Sequence, residues 1–126
     1  MGKASGGFTL IELLVVMAVI ATLLTIAVPR YFEHIDRARE ATLRESLAVM
    51  RDAIDKFRAD TGRYPETLDD LVTRRYLRKI PPDPITESAA NWVIVPPPDE
   101  PGQARVWDVQ SGAEGQGRNG SDYRTW

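Results

Sequence analysis

A chain of 126 residues holds one domain of ordinary size and leaves no room for a multidomain enzyme with a large buried cleft. Its 16 Lys and Arg against 18 Asp and Glu give a formal charge of −2, with no run of like charge of the kind that grips nucleic acid. There is no cysteine, which removes disulfide scaffolds, thiolate zinc sites, iron–sulfur clusters and cysteine nucleophiles, and the single histidine argues against a catalytic triad or a multi-histidine metal site.

The apolar residues are concentrated at the start. From Phe8 to Val28 the only charge is Glu12. As a helix this stretch is about 31 Å long, against a hydrocarbon thickness of roughly 30 Å, so it can span a bilayer. Lys3 before it favours a cytoplasmic N-terminus, although Arg30, Arg37 and Arg39 on the far side leave the charge rule undecided. A cleaved secretory signal fits poorly, because the run is too long and ends in Val28-Pro29-Arg30-Tyr31 with no small-residue cleavage site. A plain membrane anchor explains length and polarity but not Glu12. A carboxylate within a membrane helix costs about 2.5–3.5 kcal/mol, so it is expected to face a partner or to snorkel to the headgroups. Pro29 removes a backbone donor and disfavours helical geometry at Val28, which predicts a kink or local melting there.

The run Gly7-Phe8-Thr9-Leu10-Ile11-Glu12, behind a short leader with one basic residue, resembles the cleavage motif of type IV prepilins and type II secretion pseudopilins. The resemblance implies cleavage between Gly7 and Phe8 by a prepilin peptidase and methylation of the new terminus on Phe8. Counted from Phe8, Glu12 is the fifth residue and Pro29 the twenty-second, where the family usually has Glu and Pro. In the family the Glu pairs with the terminal amine of a neighbouring subunit, which makes Phe8, Glu12 and Pro29 the implied assembly residues. Such a pair would offset the cost of burying Glu12 and fix the axial register of the helices.

Beyond Pro29 a helical period continues to about Asp60. Leu43, Leu47, Met50, Ile54 and Phe57 form one apolar stripe, while Glu33–Arg37, Glu40–Arg44 and Asp52–Lys56 stand four apart on the other faces as a solvated surface. His34 reads as a surface or interfacial side chain. Thr61-Gly62 ends the helix, and a short amphipathic helix is predicted from Glu66 to about Leu77 with Leu68, Leu71 and Val72 inward. Asp69 and Asp70 are adjacent, so they lack the shared direction an acid–base pair needs and suit the first turn of a helix. The run from Asp60 to Val72 and the connector Ile80-Pro81-Pro82-Asp83-Pro84 resemble the corresponding segments of the major, or G-type, pseudopilins. Strands are predicted over Asn91–Val95 and Arg105–Gln110, with Trp92 and Trp107 gluing the sheet to the helix stripe.

The last sixteen residues are glycine-rich and lack hydrophobic period, yet oxygen ligands are dense in and just before them: Asp108, Ser111, Glu114, Asn119, Ser121 and Asp122. A flexible loop of this composition can supply the six to eight oxygens that Ca²⁺ takes, although the spacing is not that of an EF-hand. Gly112-Ala113-Glu114-Gly115 and Ser121-Asp122-Tyr123 resemble the calcium loop of major pseudopilins, which makes Asp108, Ser111, Glu114, Asn119 and Asp122 the implied ligands. Glu114 stands where the family more often has Asp. The other reading is a loop tied down by Tyr123 and Trp126 packing back on the head.

The expected fold is thus α+β and pilin-like: a long N-terminal helix, half transmembrane and half amphipathic, on a small antiparallel sheet with a C-terminal loop. Its divisions are a leader at 1–7, an assembly helix at 8–29 and a periplasmic head at 30–126. The resemblance implies a structural, non-enzymatic subunit of a type II secretion pseudopilus in the bacterial inner membrane, with itself, minor pseudopilins, the prepilin peptidase, the inner-membrane secretion platform and the membrane as partners, and no nucleic acid. Alternatives are a type IV pilin subunit for adhesion, motility or DNA uptake, and a membrane-anchored, metal-binding periplasmic domain.

Overall fold

The computed structural model describes residues 7–126; the expected leader falls outside these except for Gly7. Helix α1 runs Leu10–Thr61, followed by α2 at Leu68–Thr73, strands β1 at Trp92–Val95 and β2 at Asp108–Ser111, and a 3-10 turn at Tyr123–Thr125. This is the α+β arrangement of a long N-terminal helix and a small antiparallel sheet that the sequence predicts. The chain divides into two units, residues 1–36 and 37–126, with the boundary inside α1.

In the first unit, α1 is helical without interruption through Val28, Pro29 and Arg30, in place of the expected local melting. One proline removes a single amide donor, and the helical turns on either side keep their own hydrogen bonds.

The second unit is built on the apolar stripe. Leu43, Leu47, Met50, Ile54 and Phe57 are buried as the period predicts, together with Ser46 and Ala53 between them. They pack against Leu68, Leu71, Leu77, Trp92, Val106 and Val109 in one cluster. Burying side chains of this size contributes about 1.5–3 kcal/mol each, which is what holds so small a sheet in place. Phe57 meets Tyr76 edge-on at 5.5 Å.

Gly62, at φ +77°, ends α1, and its N–H bonds the Arg58 carbonyl at 2.9 Å. The second helix is shorter than the predicted span to Leu77. It starts at a capping box, in which Thr67 accepts from the Asp70 N–H and Asp70 accepts from the Thr67 N–H. It stops because Arg75 turns left-handed at φ 66°, and the Tyr76 N–H reaches the Leu71 carbonyl at 2.8 Å while the Arg75 N–H reaches Val72 at 3.1 Å. That is a Schellman ending with arginine where glycine is usual. Leu68 and Leu71 are buried and Val72 is half-buried.

The strands pair antiparallel with Trp92 opposite Ser111 and Val95 opposite Asp108. β1 starts one residue later than predicted and ends at the predicted Val95, whereas β2 starts three residues later and ends one residue later. The tryptophans differ, contrary to expectation: Trp92 is buried with its indole N–H on the Pro81 carbonyl at 2.8 Å, whereas Trp107 is 40% exposed. Trp107 precedes β2 and spends its backbone N–H on Val95 at 3.0 Å, and Val106 and Val109 fill the core on either side of it.

Candidate functional site

The end of α1 presents a carboxylate beside an uncovered apolar surface. Thr9 caps the helix: its Oγ1 accepts the Glu12 N–H at 3.1 Å, and Glu12 Oε2 accepts the Thr9 N–H at 3.3 Å. This reciprocal arrangement is a capping box, and the dipole of the helix start favours the negative charge of Glu12 there. Its signature, Thr-Leu-Ile-Glu, stands in the sequence; reading Glu12 for its charge alone passed over Thr9. Phe8 is 77% exposed, and from Leu10 to Val28 the large apolar side chains all stay uncovered. The two hydroxyls within this stretch are turned inward on the helix, Thr22 donating to the Ala18 carbonyl at 2.8 Å and Thr25 to Ala21 at 2.7 Å. Local bonding of this kind removes hydrogen-bonding hydrogens from an otherwise apolar surface. The helix is long and apolar enough to cross a membrane, and none of the apolar stretch is buried.

The implied metal ligands are placed differently from one another. Asp108 Oδ1 accepts from Arg51 Nε at 2.8 Å and from the Val109 N–H at 2.7 Å. Ser111 is fully buried and donates to Asp83 Oδ2 at 2.5 Å, accepting the Ala113 N–H at 3.1 Å. Asn119 Oδ1 accepts both the N–H and the hydroxyl of Ser121, at 3.0 and 2.6 Å. Glu114 and Asp122 come together around one shallow hollow, but Arg124 lines it with them and stands 3.8 Å from Glu114. Among the described residues no group of three or more His, Asp or Glu side chains gathers at one point.

The residue missed by sequence reasoning is Asp83, taken above only as part of a proline-stiffened connector. It is fully buried and accepts from Ser111, from Asn91 Nδ2 at 3.2 Å and from the Ile85 N–H at 2.8 Å. A buried carboxylate needs such donors to be tolerated, and these tie the connector to β2 and to the segment before β1. Among the described residues no buried side-chain nitrogen or oxygen lacks a partner.

Residues 2–28 match the family model described as the prokaryotic N-terminal methylation motif. Along nearly its whole length the chain is similar to proteins named type II secretion system core protein G. That of Klebsiella michiganensis is 26% identical over 98% of this chain and 94% of its own length. That of Pseudomonas aeruginosa is 27% identical over 98% and 96%, and that of Escherichia coli 26% over 95% and 90%. Together these matches support a major pseudopilin. No solved structure matches the chain. In this chain the methylation motif coincides with the capped, carboxylate-bearing start of α1, and the uncovered apolar stretch that follows is consistent with membrane anchoring.

Proposed function

We propose that the chain is the main structural subunit of a type II secretion pseudopilus. The prepilin peptidase cuts after Gly7, Phe8 becomes the methylated terminus, and copies of α1 bundle through the Phe8–Val28 surface into a filament whose heads stand in the periplasm. The observation that carries this reading is the length of uncovered apolar helix that begins at a methylation motif and holds Glu12 as its only charge. In the membrane this surface is covered by lipid; in a filament it is covered by other copies, and side-chain packing replaces lipid at little cost. Glu12 would meet the amine created at Phe8 of a neighbouring copy, a pairing that offsets its burial and sets the stagger between subunits. The subunit works by polymerising with minor pseudopilins at the inner-membrane platform, and so helps to drive folded proteins outward.

The test is the intact mass of protein extracted from membranes of its native host, beside a Gly7→Val variant. Loss of Met1 to Gly7 with gain of one methyl group in the native chain, and neither change in the variant, is the expected result. An uncut chain in cells with an active prepilin peptidase refutes the filament reading.

A further inference from the structure

The C-terminal loop closes on guanidinium groups of its own chain. Arg51 binds Asp108 through Nε at 2.8 Å and the Val109 carbonyl through Nη2 at 3.0 Å, which fastens the start of β2 to α1 and engages one of the implied ligands. At the far end the Arg44 guanidinium lies 4.3 Å from the centre of the Trp126 ring. The indole N–H of Trp126 donates to Ser121 Oγ at 2.7 Å, Ser121 passes a hydrogen bond on to Asn119, and Tyr123 meets the indole edge-on at 5.1 Å. Between these ends, Glu40 Oε1 of α1 accepts the Arg118 N–H at 2.7 Å. Gly117 lies directly under the indole, where any Cβ would overlap the ring.

A divalent cation at this loop would need Asp108 released from Arg51, and at Glu114 and Asp122 it would sit beside Arg124. Like charges at such separations repel, and of the other implied ligands Ser111 is spent on Asp83 and Asn119 on Ser121. The Arg124–Glu114 contact is itself exposed on both sides and adds little. The fastening of the loop to α1 therefore rests on Glu40 and on the Arg44–Trp126 stack, with Arg51 engaging Asp108 at the start of β2.

We propose that this chain holds its C-terminal loop with Glu40, Arg44 and Trp126 in place of a divalent cation, while Arg51 occupies Asp108, so that the loop is closed in calcium-free solution. The inference concerns the head alone and stands apart from the filament reading.

The experiment uses the full chain in detergent micelles, stripped with chelator and then compared with and without about 10 mM Ca²⁺, well above the affinity range of extracellular calcium modules. Thermal melting and tryptic cleavage after Arg118 are followed together. The expected melting midpoints agree within about 1 °C, whereas a cation held at 100 times its Kd would raise the midpoint by on the order of 10 °C. Arg44 is exposed, so Arg44→Gln leaves the core intact. It is expected to speed cleavage after Arg118 by about fivefold to tenfold, with no rescue by Ca²⁺. Calcium raising the native midpoint by several degrees, calcium restoring protection to the variant, or cleavage of Arg44→Gln at the native rate in chelator would each overturn the proposal.

Discussion

Ser111 Oγ donates to Asp83 Oδ2 at 2.5 Å across 28 residues of sequence, and both side chains are fully buried. The bond joins the proline-rich connector to the inner face of β2, and because Ser111 also accepts the Ala113 N–H it sets the direction in which the C-terminal loop departs. Ser111→Ala removes one donor from a buried carboxylate and one acceptor from a buried amide. The expected loss is about 1–3 kcal/mol of unfolding free energy, read by denaturant titration of the chain in micelles. A variant as stable as the native chain would show that water replaces the hydroxyl.

Much of this architecture is legible in the sequence, and the parts that are not have a common cause. The stripe from Leu43 to Phe57 follows from helical period alone, and Glu12 stands out because nothing else in its stretch is charged. Asp83 does not stand out, since its donors come from Asn91 and Ser111, and no local pattern announces that three polar side chains will be brought together by the register of two strands. For the same reason the sequence does not show that Ser111 faces Asp83 or that Asp108 faces Arg51. Trp92 and Trp107 are alike in the sequence; only the pairing of Trp92 with Ser111 on the buried face separates them.

The capping box at the start of α1 makes Thr9 and Glu12 separable. Thr9→Val keeps the shape of the side chain and loses the acceptor for the Glu12 N–H, which is expected to cost about 1 kcal/mol of local helix stability. Hydrogen exchange at the first turn should quicken about fivefold in Thr9→Val, stay near native in Glu12→Gln, which retains a capping side chain, and quicken in Glu12→Ala. If Glu12→Gln and Glu12→Ala exchange alike, the carboxylate is not serving as a cap.

Arg75 holds a left-handed φ of 66° at the end of α2, a conformation that costs a side-chain-bearing residue about 1–2 kcal/mol and glycine almost nothing. Arg75 is exposed, so its side chain offers little burial in return. Arg75→Gly is expected to raise unfolding free energy by about 0.5–1 kcal/mol, since glycine's added freedom in the unfolded chain cancels part of the relief. A destabilised variant would mean that the arginine side chain contributes more than its exposure suggests.

Tyr76 ties the segment after α2 back to α1: its hydroxyl donates to Asp60 Oδ2 at 2.6 Å. That hydrogen bond to the carboxylate, followed by partial desolvation and the charge of Asp60, raises the phenol above its ordinary value near 10, while Arg74 opposes the shift. A pKa raised in the folded state favours the protonated phenol. The contribution is therefore complete below the unfolded tyrosine's value near 10 and is lost as pH rises through the higher folded value. Stability of the native chain is expected to fall over that alkaline window. Tyr76→Phe should abolish this part of the fall, being less stable than the native chain at neutral pH and converging with it at high pH. Phenolate absorbance of the folded chain, compared with that of the variant, reads the titration directly; a tyrosine at position 76 that ionises at the ordinary value would show that the Asp60 bond is broken in solution.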